Sequence, residues 1–288
     1  MYITGDNVSV LLCVVGSWVK GVTMLHDIVY VVCDKSSEII RFNAVTHDRL
    51  TDITVKDLSW PQDIAACQQT DQLYVADTPP RRSQLYADDH TLDIPAGCVW
   101  RVSSDGEDVK RLLPKSPSDT ISPYALSVTS SKLLVTSCGT KQLRQLDAVG
   151  DELSRVDLPD DMTPLHAVES PTGTFIVSHS DTQLEHNQVS EVNTGGQVLR
   201  QFRGSHLLPL GFTTHVAVDS QGNVFVADWS NGCILLLDSK LALCRVIIDE
   251  HHLKDNKPRR LCYNEQSGQL LIGFDVGRGV AVFDVFRR

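Results

Sequence analysis

Residues 216–228 read Val-Ala-Val-Asp-Ser-Gln-Gly-Asn-Val-Phe-Val-Ala-Asp, and this stretch decides the fold. Two apolar runs flank the polar cluster Asp219-Ser-Gln-Gly-Asn223. β-Branched and aromatic residues on either side of a Gly/Asn/Asp/Ser turn describe two antiparallel strands. A third apolar run follows and ends on an abrupt hydrophobic-to-polar step, Leu237-Asp238.

That step recurs along the chain, as Phe42-Asn43, Val102-Ser103, Leu146-Asp147, Val192-Asn193, Leu237-Asp238 and Phe283-Asp284. Successive first members lie 60, 44, 46, 45 and 46 residues apart. A period in the mid-forties is the mark of a repeat architecture. Each period opens with an apolar strand that often follows a proline, as in Pro61-Gln-Asp-Ile-Ala-Ala and Pro123-Tyr-Ala-Leu-Ser-Val. A polar turn and a β-prone second strand come next (28–32, 73–76, 133–136, 174–177, 224–227 and 270–273). The third strand ends at the step, and a fourth follows a Gly- or Asp-bearing turn (109–113, 198–202 and 245–248). No segment carries a sustained helical period.

Four short antiparallel strands in about 45 residues make a propeller blade. The pattern predicts one all-β domain over 1–288, a six-bladed β-propeller with four-stranded antiparallel blades. The blades fall at about 18–56, 60–113, 122–158, 163–202, 213–248 and 257–288. The long first spacing marks an insertion at 78–96 in the second blade; removing roughly 16 residues there restores the period. The sixth period runs out just after its third strand, at Phe286-Arg287-Arg288. The N-terminal strand within 1–15 is therefore expected to pair with that third strand, closing the ring and covering an open edge.

Composition bounds the function. Hydrophobic residues make up 42% of the 288, enough for a continuous core, and a mean hydropathy of −0.09 is that of a soluble chain. A net charge of −10 argues against a broad electrostatic footprint for DNA or an anionic membrane. The apolar stretch Val8–Val15 is too short to span a bilayer, and Asp6 without Lys or Arg before it does not make a secretory n-region. The eight cysteines form no C-x-x-C pair, and most sit in apolar, strand-like contexts. Buried free thiols and a cytoplasmic location are the expectation.

Leu73-Tyr-Val-Ala-Asp77 and Val216–Asp228 resemble the NHL repeat, in which a V-A-V-D strand, a D-G-N turn and a V-Y-V-A-D strand follow one another. In the other blades the position of Asp77 and Asp228 reads Cys33, Ser137, Ser178 and Phe274, so the motif decays there. The resemblance implies an NHL-type propeller like those of tripartite-motif scaffold proteins, a module that recognises protein or RNA partners. The RING zinc chemistry of such proteins is missing from these residues.

In a propeller the first strand of each blade lines the central channel. The loops entering it share a face with those joining second and third strands. On that mouth face the spacing places Lys20, Gln62, Tyr124, His166, His215 and Arg259 around the channel. Lys35, Arg81, Arg82, Lys141, His179, Trp229 and Arg278 sit in adjoining loops, with Arg260 entering the sixth blade. One arc could be basic, although Asp34, Glu38, Asp228, Asp249, Glu250, Asp255 and Asp275 share the same loops. Asp77 and Asp228 read as turn-fixing residues, and Trp18 and Trp60 as inter-blade packing.

Recognition of a protein or peptide without chemistry is the leading expectation, single-stranded RNA the alternative. A metal-dependent lactonase-like hydrolase is the second alternative. It would need hard oxygen ligands to converge, and Asp63, Glu169 and Asp219 fall at different depths. His251-His252 lacks a third ligand, no Ser-His-Asp, G-x-S-x-G or H-E-x-x-H pattern occurs, and no cofactor or metal is expected.

Overall fold

The computed structural model describes residues 8–12, 18–79, 97–113, 121–181, 187–204, 209–253, 256–275 and 279–285. They form six four-stranded antiparallel sheets arranged as a β-propeller, with one short helix, Glu250–Leu253. In the first five sheets the strands pair in chain order. The first strands are Val19–Leu25, Pro61–Cys67, Pro123–Thr129, Met162–Glu169, Thr213–Val218 and, in the sixth blade, Pro258–Asn264. That last sheet is completed by Val8–Leu12, antiparallel to Val280–Asp284, with Leu12 opposite Val280. The N-terminal strand thus closes the ring.

Alternation along each strand builds the core between blades. In the second strand of blade one, Val29, Val31 and Cys33 pack toward blade six, whereas Tyr30 and Val32 pack toward blade two. Six such clusters fill the six blade–blade wedges. Period-two side-chain placement on twisted sheets dictates this layering.

The repeated step now has a physical cause. Phe42, Val102, Leu146, Val192, Leu237 and Phe283 are all buried in the wedges. The polar partner organises the turn into the fourth strand. Asn43 Oδ1 accepts from the Val45 and Thr46 amides, both at 2.8 Å. Asp147, Asn193 and Asp238 repeat the arrangement with the amides two and four residues on. These are Asx turns; in the second blade the Ser103 hydroxyl takes the same place and accepts the Asp108 amide at 2.9 Å.

A second regularity is a β-bulge at one place in every blade. The pairing of first and second strands skips one residue: Lys20, Gln62, Tyr124, Leu165, Thr214 and Arg259. The residue after each bulge, namely Gly21, Asp63, Ala125, His166, His215 or Arg260, occupies an equivalent rung around the axis. The same pairing sets His179, not Ser178, opposite Pro164, so His179 is the counterpart of Asp77 and Asp228.

Candidate functional site

Two layers of residues follow from the bulge. The bulged residues Lys20, Gln62, Tyr124 and Arg259 form the layer at the mouth, and four of the six post-bulge residues, Asp63, His166, His215 and Arg260, tie blade to blade. Asp63 accepts the Leu126 amide of the next blade at 2.9 Å. His166 Nδ1 faces the Val216 amide, and His215 Nδ1 the Leu261 amide, each at 3.4 Å. Arg260 donates from Nε to the Lys20 carbonyl and from a terminal nitrogen to the Gln62 carbonyl at 2.9 Å, bridging blade six to blades one and two. At Gly21 a Cβ would lie 2.5 Å from the Ile64 nitrogen. With no side chain in that rung, the Ile64 amide is capped by Asp63 Oδ1 at 3.0 Å.

Four of these inner residues meet on the axis. The His166 and His215 rings stack at 3.4 Å between centroids. Asp63 lies 3.6 Å from both His215 Nε2 and Arg260 Nε, and Tyr124 covers the guanidinium at 5.9 Å. Burial holds both imidazoles well below the usual histidine range; His215 adds to the effect at His166, and Arg260 adds to it at His215. Burial raises Asp63, opposed by Arg260, His166 and the Leu126 and Ile64 amides.

Asp63, His166 and His215 each offer a ligand atom within 4.8 Å of the others. The donor set does not suit a metal. His166 Nδ1 accepts an amide hydrogen and its Nε2 faces the Leu126 carbonyl at 3.3 Å, so both nitrogens are used. In-plane lone pairs on two stacked rings also diverge from a common point. Glu169 and Asp219 do not join the group: Glu169 accepts from Gln145, and Asp219 fixes its own turn through Gln221 and Asn223.

The structure divides the predicted site residues. Lys20, Gln62, Tyr124 and Arg259 lie at the mouth as bulged residues. His166, His215 and Arg260 are corrected to the layer beneath, at 1%, 6% and 1% exposure, because the bulge shifts the inward face by one residue. His179 is also buried, against Ser190 at 2.8 Å. Arg81, Arg82 and Arg278 lie outside the described residues, as does most of the 78–96 insertion. The sequence alone offers Asp63 only as a possible metal ligand. The signal that finds its layer is a proline at or near the start of four of the first strands: two residues after Pro61, Pro123, Pro164 and Pro258 stand Asp63, Ala125, His166 and Arg260.

At the mouth, the two cations nearest the channel, Lys20 and Arg259, are paired with carboxylates, and aromatics remain. Lys20 pairs with Asp34 at 3.1 Å and Arg259 with Asp275 at 2.7 Å. Burial lowers the Lys20 ammonium, and Asp34 opposes the shift. Trp229 donates to Asp275 at 3.2 Å and meets Phe212 edge-on at 6.2 Å. Lys35 lies over half-buried Trp60 at 5.1 Å. Trp18, expected to pack between blades, is 52% exposed, and Phe212 is 41% exposed. Asp77 accepts the Trp60 amide at 2.6 Å and Asp228 the Gly211 amide at 3.1 Å, so both fix the backbone entering a first strand.

No family model and no curated protein matches this chain. Solved propellers do. The WD40 β-propeller domain of Doa1 superposes with a TM-score of 0.63 at 13% identity, over 98% of this chain and 97% of that one. Virginiamycin B lyase from Staphylococcus aureus gives 0.63 at 10% identity, covering 93% and 95%. A chain of the nidogen/laminin complex gives 0.62 at 15%, covering 85% and 84%. At these identities the likeness is one of fold.

Proposed function

We propose that this protein is a non-catalytic recognition module of the NHL type that binds a protein or peptide across its mouth face. The observation that carries the reading is the state of that face. Its central cations Lys20 and Arg259 are already paired with carboxylates, while Trp18 and Phe212 stay exposed. Aromatics set among paired polar groups are the anchors of protein interfaces. Single-stranded RNA needs a groove of unpaired cations beside its stacking residues, and these pairs remove that from the centre of the face.

The NHL assignment rests on 73–77 and 216–228, and a propeller of similar shape in a nidogen/laminin complex accords with protein partners. The dispersal of Asp63, Glu169 and Asp219 into structural hydrogen bonds supports a non-catalytic role over a lactonase-like one. Cys33 is pushed by burial up to about 11 and Cys98 and Cys233 up to about 12, inert free thiols that suit an intracellular setting.

The test is to pan a random peptide library against the full chain and measure selected peptides by fluorescence polarisation. Selected peptides should lose at least tenfold in affinity for a Trp18→Ala/Phe212→Ala double variant. A library that yields no binder, or binders indifferent to both substitutions, overturns the proposal.

A further inference from the structure

Below the inner layer the channel widens again, on the side away from the mouth. A cavity of about 270 Å³ lies there, lined by the first strands of all six blades, with the stacked pair His166 and His215 as its floor. Three residues beyond each post-bulge position, the strands contribute one further ring: Met24, Ala66, Val128, Glu169, Val218 and Tyr263. All six are half-buried, so the cavity meets solvent there.

That ring holds a single charge. Among the described residues lining the cavity only Glu169 is charged, and no Lys or Arg joins it. Burial keeps both floor imidazoles neutral. The carboxylate is held from behind: Gln145, 8% exposed, donates to Glu169 Oε2 at 2.9 Å and accepts from Ser154 at 2.7 Å. Glu169 Oε1 has no partner among the described residues and is not enclosed. A fixed carboxylate with one oxygen unmet favours a donor that brings positive charge, and walls of low polarity strengthen that attraction. The neighbouring blade offers a second acceptor. Ser127 spends its hydroxyl hydrogen on the Ala167 carbonyl at 2.9 Å, which leaves its lone pairs for a donor. Val128, Val168 and Val218 supply aliphatic surface. The approach is acidic too. Turns leading out of the first strands on this side carry Asp27, Asp71, Asp219 and Glu265 and no Lys or Arg, with Lys132 at the head of one second strand against them. Such a field steers cations.

We infer that this cavity binds an ammonium on a short aliphatic chain, which donates to Glu169 Oε1 while its carbons lie on the valines. A volume just under the ~300 Å³ at the low end of ligand pockets fits a chain of a few carbons. The site lies on the opposite side of the disc from the proposed protein-binding face and uses different residues, so the two readings stand or fall separately.

Isothermal titration of the full chain with n-butylammonium, against n-butanol and butyrate, tests it. The ammonium should bind, and its neutral and anionic counterparts should bind at least tenfold more weakly. Nα-acetyl-lysine methylamide separates two sources of the same group. Affinity equal to that of butylammonium assigns the site to a lysine side chain, and lower affinity assigns it to a free amine; each upholds the inference. Glu169→Gln keeps an acceptor for Gln145 and removes the charge, so it should weaken butylammonium at least tenfold with the urea midpoint unchanged. Val218→Lys brings an ammonium of the protein's own to the same ring and should abolish binding. No binding of butylammonium, butanol or butyrate binding as tightly, or either variant binding butylammonium as well as the parent overturns the inference.

Discussion

At Gly21 a single methyl group separates a closed ring from a strained one. Its Cβ would sit 2.5 Å from the Ile64 nitrogen and 2.9 Å from the Asp63 carbonyl carbon, both backbone atoms that cannot step aside cheaply. Gly21→Ala should cost about 1–3 kcal/mol, the range for overpacking a filled interior; an unchanged urea midpoint would show that blades one and two are not in this contact. The histidine pair makes stability depend on pH. Folded, His166 and His215 stay neutral, while unfolded they titrate near 6.5. Below that value the unfolded chain binds more protons, so stability is complete above about pH 6.5 and falls as pH drops toward the lower folded values. Asp63 acts in the opposite sense, since its carboxyl is raised by burial and the folded protein therefore holds that proton more tightly than the unfolded chain. The urea midpoint should therefore decline between pH 7 and 5.5, and a His166→Gln/His215→Gln variant should give a flatter profile.

Among the elements, the third strand was the most legible in sequence and the first strand the least. The hydrophobic-polar step marks third-strand ends because one residue must be buried in a wedge while the next must cap a turn. Those two requirements are local and show in composition. Asp238→Ala removes acceptors for the Lys240 and Ala242 amides and should cost about 1–3 kcal/mol at ~0.5–1.5 per hydrogen bond, checked by chemical denaturation. The first strands carry an extra residue that no alternation of apolar and polar types reveals, so His166 and His215 read as mouth residues although they lie one rung deeper. The meeting of Asp63, His166, His215 and Arg260 was illegible for a different reason: four blades contribute, and only ring closure brings them together. The closing strand was legible from what the sixth period lacked. Deleting residues 1–15 removes buried Leu12 and uncovers Val280 and Val282. The loss should be about 3–6 kcal/mol, as for two aliphatic side chains at ~1.5–3 each; a truncated chain of parental stability would deny the strand its role.

Over the whole molecule, one disc presents two unlike approaches to its axis. One is rimmed by Trp18, Trp60, Phe212 and Trp229, and the other leads down a cavity to His166 and His215. The net charge of −10 acts on both. A filter-binding titration with single-stranded RNA at 50 mM and 200 mM salt should therefore show no retention at either; retention at the lower concentration that collapses at the higher would restore the RNA reading. Between the two approaches Arg260 reaches across the axis to carbonyls 240 and 198 residues earlier in the chain. On a ribosome, successive blades can stack pairwise as they emerge, yet the growing chain stays an open horseshoe while Arg260 is still in the tunnel. Contacts of such long sequence separation form slowly, and until they form the unpaired edges are the surface that chaperones would meet. The guanidinium is a clasp fastened only once the sixth blade has been made.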